Sequence, residues 1–310
     1  WMPQALRKMI SYGNGYPGTA QGLLDAMADA RANLGAVYLS GAAITLPSNL
    51  TVDVPIIGTP GQRTASLISP QFTVSGRGAL HHLKATASAW AGFILITPTG
   101  HILSNVELAN LSGDVVYMTG NANAHFDRVR IANAGHDALV WLDITGASSL
   151  TMNHVEVDTA AQHGINLLIP NSIAPSLVKV RGTDWRVKNI SKSPQFLAIA
   201  ARNCDFDVSQ ILVEDAGYGV DLVRCPGARA DIKVKRCTVG VVVEDYGDHE
   251  VDRAGRLDIY AEDCPQAMEI SQAAQGYDIK LRTLRGGDGS HVNMAYKGFH
   301  LRQHSLYPTG

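Results

Sequence analysis

Nine residues in the middle of the chain have the types and spacing for chemistry on an acidic sugar: Arg128, Arg130, His154, Glu156, Asp158, Asp184, Arg186, Lys188 and Glu214. Within each cluster they alternate with apolar residues, as in Arg128-Val129-Arg130-Ile131 and His154-Val155-Glu156-Val157-Asp158. Carboxylates such as Glu156 and Asp184 act as acid and base at a glycosidic bond when held about 5–9 Å apart. His154 is a base near neutral pH, and Asp158 is a further carboxylate beside it. Arg128, Arg130, Arg186, Lys188 and Glu214 are the candidate substrate-binding groups, the cations being able to neutralise a sugar carboxylate or depress a neighbouring acid. Elimination needs a base plus charge neutralisation at the uronate, whereas hydrolysis needs two carboxylates. These residues offer both. The same alternation of sign also describes a solvated ladder of ion pairs, each contributing about 0–1 kcal/mol without any substrate. A subunit interface on that face is a third reading.

The elements that must position these residues come from a repeat. Apolar-x-apolar triplets return at Leu83–Ala85, Val106–Leu108, Val129–Ile131, Val155–Val157, Trp185–Val187, Ile211–Val213, Ile232–Val234, Leu257–Ile259 and Ile279–Leu281, in steps of 21 to 30 residues. A loose period in the twenties, carrying strand alternation in place of helical spacing, is the mark of a β-solenoid. Coils of two or three short strands, separated by turns such as Ala134-Gly135-His136, predict an all-β, right-handed parallel β-helix. Stacking at about 4.8 Å per coil turns equivalent positions into columns. With the apolar markers inward, the outward columns read Asn105, Arg128, His154, Asp184, Gln210, Asp231; then Glu107, Arg130, Glu156, Arg186, Leu212, Lys233; then Ala109, Ala132, Asp158, Lys188, Glu214, Lys235. The nine candidates therefore gather on one face, with Glu156 and Asp184 about 5–7 Å apart.

Around this body the chain divides into a lead-in and capping helix over 1–35, the β-helix over 36–285, and a C-terminal cap or subunit-contact tail over 286–310. Thr19 or Gln21 opens a helix carrying Leu23, Leu24, Met27 and Ala28, which should stop near Asn33–Gly35 and cover the first coil. Met294, Tyr296, Phe299, Leu301 and Leu306 are the candidates for covering the last coil. The net charge of −2 leaves no basic stripe for nucleic acid, and no apolar run has the length of a membrane span. Cys204, Cys225, Cys237 and Cys264 lack zinc-ligand spacing, and Cys204 and Cys225 should stack as buried thiols in adjacent coils. Asp248, His249 and Glu250 read first as an acidic solvated loop, so no metal and no cofactor is expected. Trp185 is expected in the core, whereas an exposed Trp90 or Trp141 could stack on a sugar ring.

The run Leu23–Ala30, then Gly35-Ala36-Val37-Tyr38-Leu39, Ile44-Thr45-Leu46 and Ile56-Ile57-Gly58, resembles the N-terminal entry of the pectate-lyase-like superfamily. It is similar in particular to phage tailspike proteins and the polysaccharide lyases grouped with them. Ser40 stands where that pattern has proline, and Tyr12-Gly13-Asn14-Gly15 where it opens with Asp-Phe-Gly-Ala. The resemblance implies a homotrimer at an extracellular or virion surface that binds a bacterial surface polysaccharide and cleaves it. A secreted uronan lyase or epimerase, and a non-catalytic receptor-binding or structural spike, are the neighbouring expectations. This scaffold hosts many activities, so the fold alone does not choose among them.

Overall fold

The computed structural model describes residues 9–12, 16–193, 195–244, 255–271, 277–285 and 300–305. The chain is nearly all β and winds into a parallel β-solenoid of about ten turns. One coil shows the plan. The strand Thr99–Asn110 bends at Asn105, a turn follows, and Asp114–Thr119 leads to the next coil. Repetition builds two parallel sheets, the larger from the long bent strands and the smaller from strands such as Asp114–Thr119, Leu139–Leu142 and Tyr218–Val223. The larger sheet also takes in a strand at Met9–Tyr12 and another at His300–Ser305.

The interior is a set of apolar columns, because alternate residues of each strand point inward. Val106, Val129, Val155, Trp185, Ile211, Ile232, Ile259 and Leu281 occupy one such column in register, all of them buried. Trp185 lies in the core as its alternation predicts, and its indole N–H donates to the Met152 carbonyl at 2.7 Å. Trp141 is also core, while Trp90 is 60 % exposed. Cys204 and Cys225 are buried, free and stacked with sulfurs 3.7 Å apart. The helix Ala20–Ala32 starts on its Thr19 cap, whose hydroxyl accepts from the Gly22 N–H, and ends at Asn33. It buries Leu23, Ala26, Met27 and Ala30 against the solenoid.

The bends have a common device. His82, Asn105, Arg128, His154, Asp184 and Gln210 occupy equivalent corners of six successive coils, all with φ between 51° and 62°. One left-handed residue turns the strand without breaking its ladder on either side. A second corner ladder runs through Asn189, Asp215, Arg236, Asp263 and Arg285. For side chains other than Asn, Asp and His this conformation costs about 1–2 kcal/mol each. Because it recurs at corner after corner, the strain belongs to the fold and not to one site.

The first ladder stops at Gln210. Ser209 and Gln210 together face the single residue Asp231, and the strands Arg229–Lys235 and Gly255–Glu262 run through without a left-handed bend. The last two coils also differ from the sequence alignment by two residues. Ile259 stacks on Ile232 and Ala261 on Val234, so Ile259 and Leu281 are not the partners of Val234. The inward face is unchanged, because a slip of two keeps the alternation.

Candidate functional site

The long strands Asn123–Ala134, Ser148–Val157 and Val178–Lys188 carry the site, and their register sets Arg130 opposite Glu156 and Glu156 opposite Arg186. The second outward column is therefore real: Lys84, Glu107, Arg130, Glu156, Arg186, Leu212 and Lys233 follow one another coil by coil. Arg128, His154 and Asp184 stand beside it at the corners. Together Arg128, Arg130, His154, Glu156, Asp184 and Arg186 line a hollow of about 240 Å³ with Arg63. Asp158, Lys188 and Glu214 lie outside that lining. Glu214 pairs with Lys235 at 3.7 Å and Arg236 at 3.8 Å instead.

The groups in and around the hollow are engaged with one another. Arg130 reaches Glu107 at 3.3 Å and Asp158 at 2.7 Å, Lys188 bridges Glu156 at 3.5 Å and Asp158 at 3.4 Å, and Arg128 holds Asp127 at 2.8 Å. Asp184 accepts from Arg186 at 2.8 Å and lies 3.1 Å from His154 Nδ1. Burial pushes the Asp184 carboxyl up, but the hydrogen bonds from Arg186 and His154 outweigh it and hold the group below the ordinary carboxylate range. Asp158 is likewise lowered: burial opposes, and the bonds from Arg130 and Lys188 prevail. Both are ionised at neutral pH and cannot lend a proton to a leaving group. His154 is different in kind. With its Nδ1–H donated to Asp184 it is oriented, half exposed, with Nε2 left as the basic nitrogen.

A larger hollow of about 760 Å³ continues the face from Asp184 and Arg186 toward the C-terminal coils. Leu212 gives it apolar surface, and Lys233, Tyr260 and Arg282 follow it along the outward column. Lys233 Nζ sits 5.0 Å from the centre of the Tyr260 ring. Tyr260 has no place in the sequence columns, which end one coil earlier at Lys233; the triplet Leu257-Asp258-Ile259 would set Asp258 there instead. Alternation continuing through Leu257, Ile259 and Ala261 was the available signal. Arg63, whose guanidinium bonds Asn105 Oδ1 at 3.2 Å and the Arg128 carbonyl at 3.0 Å, comes from a loop outside the repeat and left no periodic trace.

Two further histidines lie away from the site. His136 packs edge-on against Trp90, and His163 is partly buried and accepts the Leu197 N–H at 3.0 Å. Asp248, His249 and Glu250, with Met294, Tyr296, Phe299 and Leu306, lie outside the described residues, as does the side chain of Leu301. No group of three or more metal-ligating side chains occurs among the described residues. Comparison with protein families, with curated proteins and with solved structures finds no match.

Proposed function

We propose that the protein binds an acidic polysaccharide along this face and cleaves it by elimination. The observation that carries the reading is the His154–Asp184–Arg186 arrangement, whose Asp184 and Arg186 line both hollows. His154 Nε2 removes the proton on the carbon bearing the sugar carboxylate. The C–H electrons form the ring double bond, the glycosidic C–O bond breaks, and the departing oxygen takes a proton from water or from the imidazolium. Arg186 and Arg128, with side chains 61 % and 57 % exposed, are the cations best able to reach the uronate and stabilise the charge developing there. Hydrolysis is the weaker reading, because it needs a neutral acid, Asp158 and Asp184 are held ionised, and Glu156 is engaged by the Lys188 ammonium at 3.5 Å. Glu156 serves here as a partner of Lys188 that can also contact sugar hydroxyls.

The test is oligosaccharide release and ultraviolet absorbance from a panel of acidic polysaccharides, using the native chain and His154→Ala. Product with a new double bond, lost by at least a hundredfold in the variant, is expected; product without absorbance, or unchanged release, removes the mechanism. Non-catalytic binding is the second reading, favoured by the dense internal pairing of Arg130, Asp158 and Lys188. Under it the glycan is retained but keeps its length. On either reading the chain works outside the cell or on a virion surface as a homotrimer. A monomer mass by light scattering at micromolar concentration would remove that part.

A further inference from the structure

On the strand run before the corners, outside the His154 site, Arg229 and Arg256 are direct partners in adjacent coils. Adjacent strands lie about 4.8 Å apart, and like charges directly opposite each other are destabilising. Elsewhere on the molecule basic residues meet acids in neighbouring coils, as Lys84 and Arg130 do at Glu107 and as Lys235 does at Glu214 and Glu262. Arg229 and Arg256 depart from that pairing: each faces an acid on its far side, Asp207 and Asp278, yet among the described residues neither arginine side chain forms an ion pair or hydrogen bond. Arg256 belongs at once to three hollows, one of about 380 Å³ shared with Arg229, the 760 Å³ groove, and one of about 270 Å³ shared with Asp278. The position is also where the corner ladder ends, with Ser209 and Gln210 facing Asp231 alone.

We propose that Arg229 and Arg256 form an oxyanion-binding subsite. One carboxylate, sulfate or phosphate group would bridge the two guanidinium groups and cancel the repulsion between them, in the two-pronged geometry that arginine favours. Asp207 and Asp231 share the wall of the hollow, so the anion must sit between the guanidinium groups and away from these carboxylates. Asp258, facing Asp231 from the next coil, is already neutralised by Arg282 at 2.6 Å and Lys280 at 3.9 Å and does not compete for Arg256. The source of the anion, an acidic substituent of the bound glycan, rests on the function proposed above. The subsite itself does not.

Thermal unfolding of the full chain in sodium sulfate, sodium glucuronate and sodium chloride at matched ionic strength tests it, with Arg229→Gln, Arg256→Gln and the double variant. Sulfate or glucuronate should raise the midpoint of the native chain above its value in chloride, and either single variant should weaken the anion at least tenfold by calorimetric titration. In dilute chloride the double variant should unfold no earlier than the native chain, since the like-charge pair is gone. Equal responses in native and double-variant protein, or a chloride response matching sulfate, would overturn the subsite. Tyr260→Ala separates the two proposals. It should leave the sulfate response intact while weakening polysaccharide retention, whereas retention unchanged by Tyr260→Ala with the sulfate response intact strikes the groove and spares the subsite.

Discussion

Asp221 stands on the outer side of the strand Tyr218–Val223, between Ala200 and Val242 of the neighbouring coils, with Oδ1 buried and unpartnered. It is only 7 % exposed. Burial pushes its carboxyl up to about 7, Glu244 and Glu269 push the same way, and Arg202 opposes them. The folded state therefore keeps a proton that the unfolded chain releases near pH 4. The stability tied to that proton is fully present below the unfolded value and declines as pH rises, the loss completing as pH passes through about 7. A shift of this size corresponds to a few kcal/mol at most, at about 1.4 kcal/mol per pH unit. Asp221→Asn should raise the urea midpoint at pH 8 and leave it nearly unchanged at pH 4. An equal change at both pH values would show that the carboxyl does not titrate in this range. Asp184 presents the opposite case, because there the hydrogen bonds from Arg186 and His154 hold the carboxylate ionised.

At the level of strands and corners, the strand Val178–Lys188 shows how one coil makes room for a large core residue. A Cβ at Gly182 would lie 2.0 Å from the Met152 carbonyl oxygen and 2.7 Å from the Trp185 indole nitrogen, the two atoms joined by the indole hydrogen bond. Gly182→Ala should cost about 1–3 kcal/mol, read as a lower urea midpoint with red-shifted tryptophan emission; an unchanged midpoint would mean the strand can move aside. Neither that close approach nor the corners can be read from residue types. Asn105, His154 and Asp184 belong to types enriched in a left-handed backbone, but Arg128 and Gln210 do not advertise one. What could be read was the inward alternation, and with it the outward column from Glu107 to Lys233. Alternation fixes the face of a strand but not its register in steps of two. Leu257, Ile259 and Ala261 all point inward, so alternation alone does not choose between Asp258 and Tyr260 as the outward neighbour of Lys233. The candidate residues were likewise legible as a face, while their mutual pairing depends on how side chains reach across coils.

Along the whole solenoid the balance of charge changes. The coils holding Glu107, Arg130, Asp158 and Lys188 are compensated internally. Beyond the end of the corner ladder, Arg229 and Arg256 stand opposite Asp207 and Asp278 in register, but among the described residues neither arginine forms an ion pair, and Lys233 leans on the Tyr260 ring. A polyanion gains most where cations are not already matched, because a paired arginine must first give up its carboxylate. Affinity for an acidic glycan should therefore concentrate over the C-terminal half of the face, with the His154 hollow at one end of the bound segment. Lys233→Gln combined with Arg256→Gln should weaken retention at least tenfold at low salt and flatten its salt dependence, since fewer exposed charges remain to be screened. Arg130→Gln should act mainly on stability, by about 1 kcal/mol or less, because its exposed pairs with Glu107 and Asp158 are the interactions removed. Affinity electrophoresis across a salt series, run beside urea unfolding, separates the two effects. If Arg130→Gln weakens retention as much as the double variant does, the polyanion lies over the compensated coils and the charge asymmetry has no part in binding.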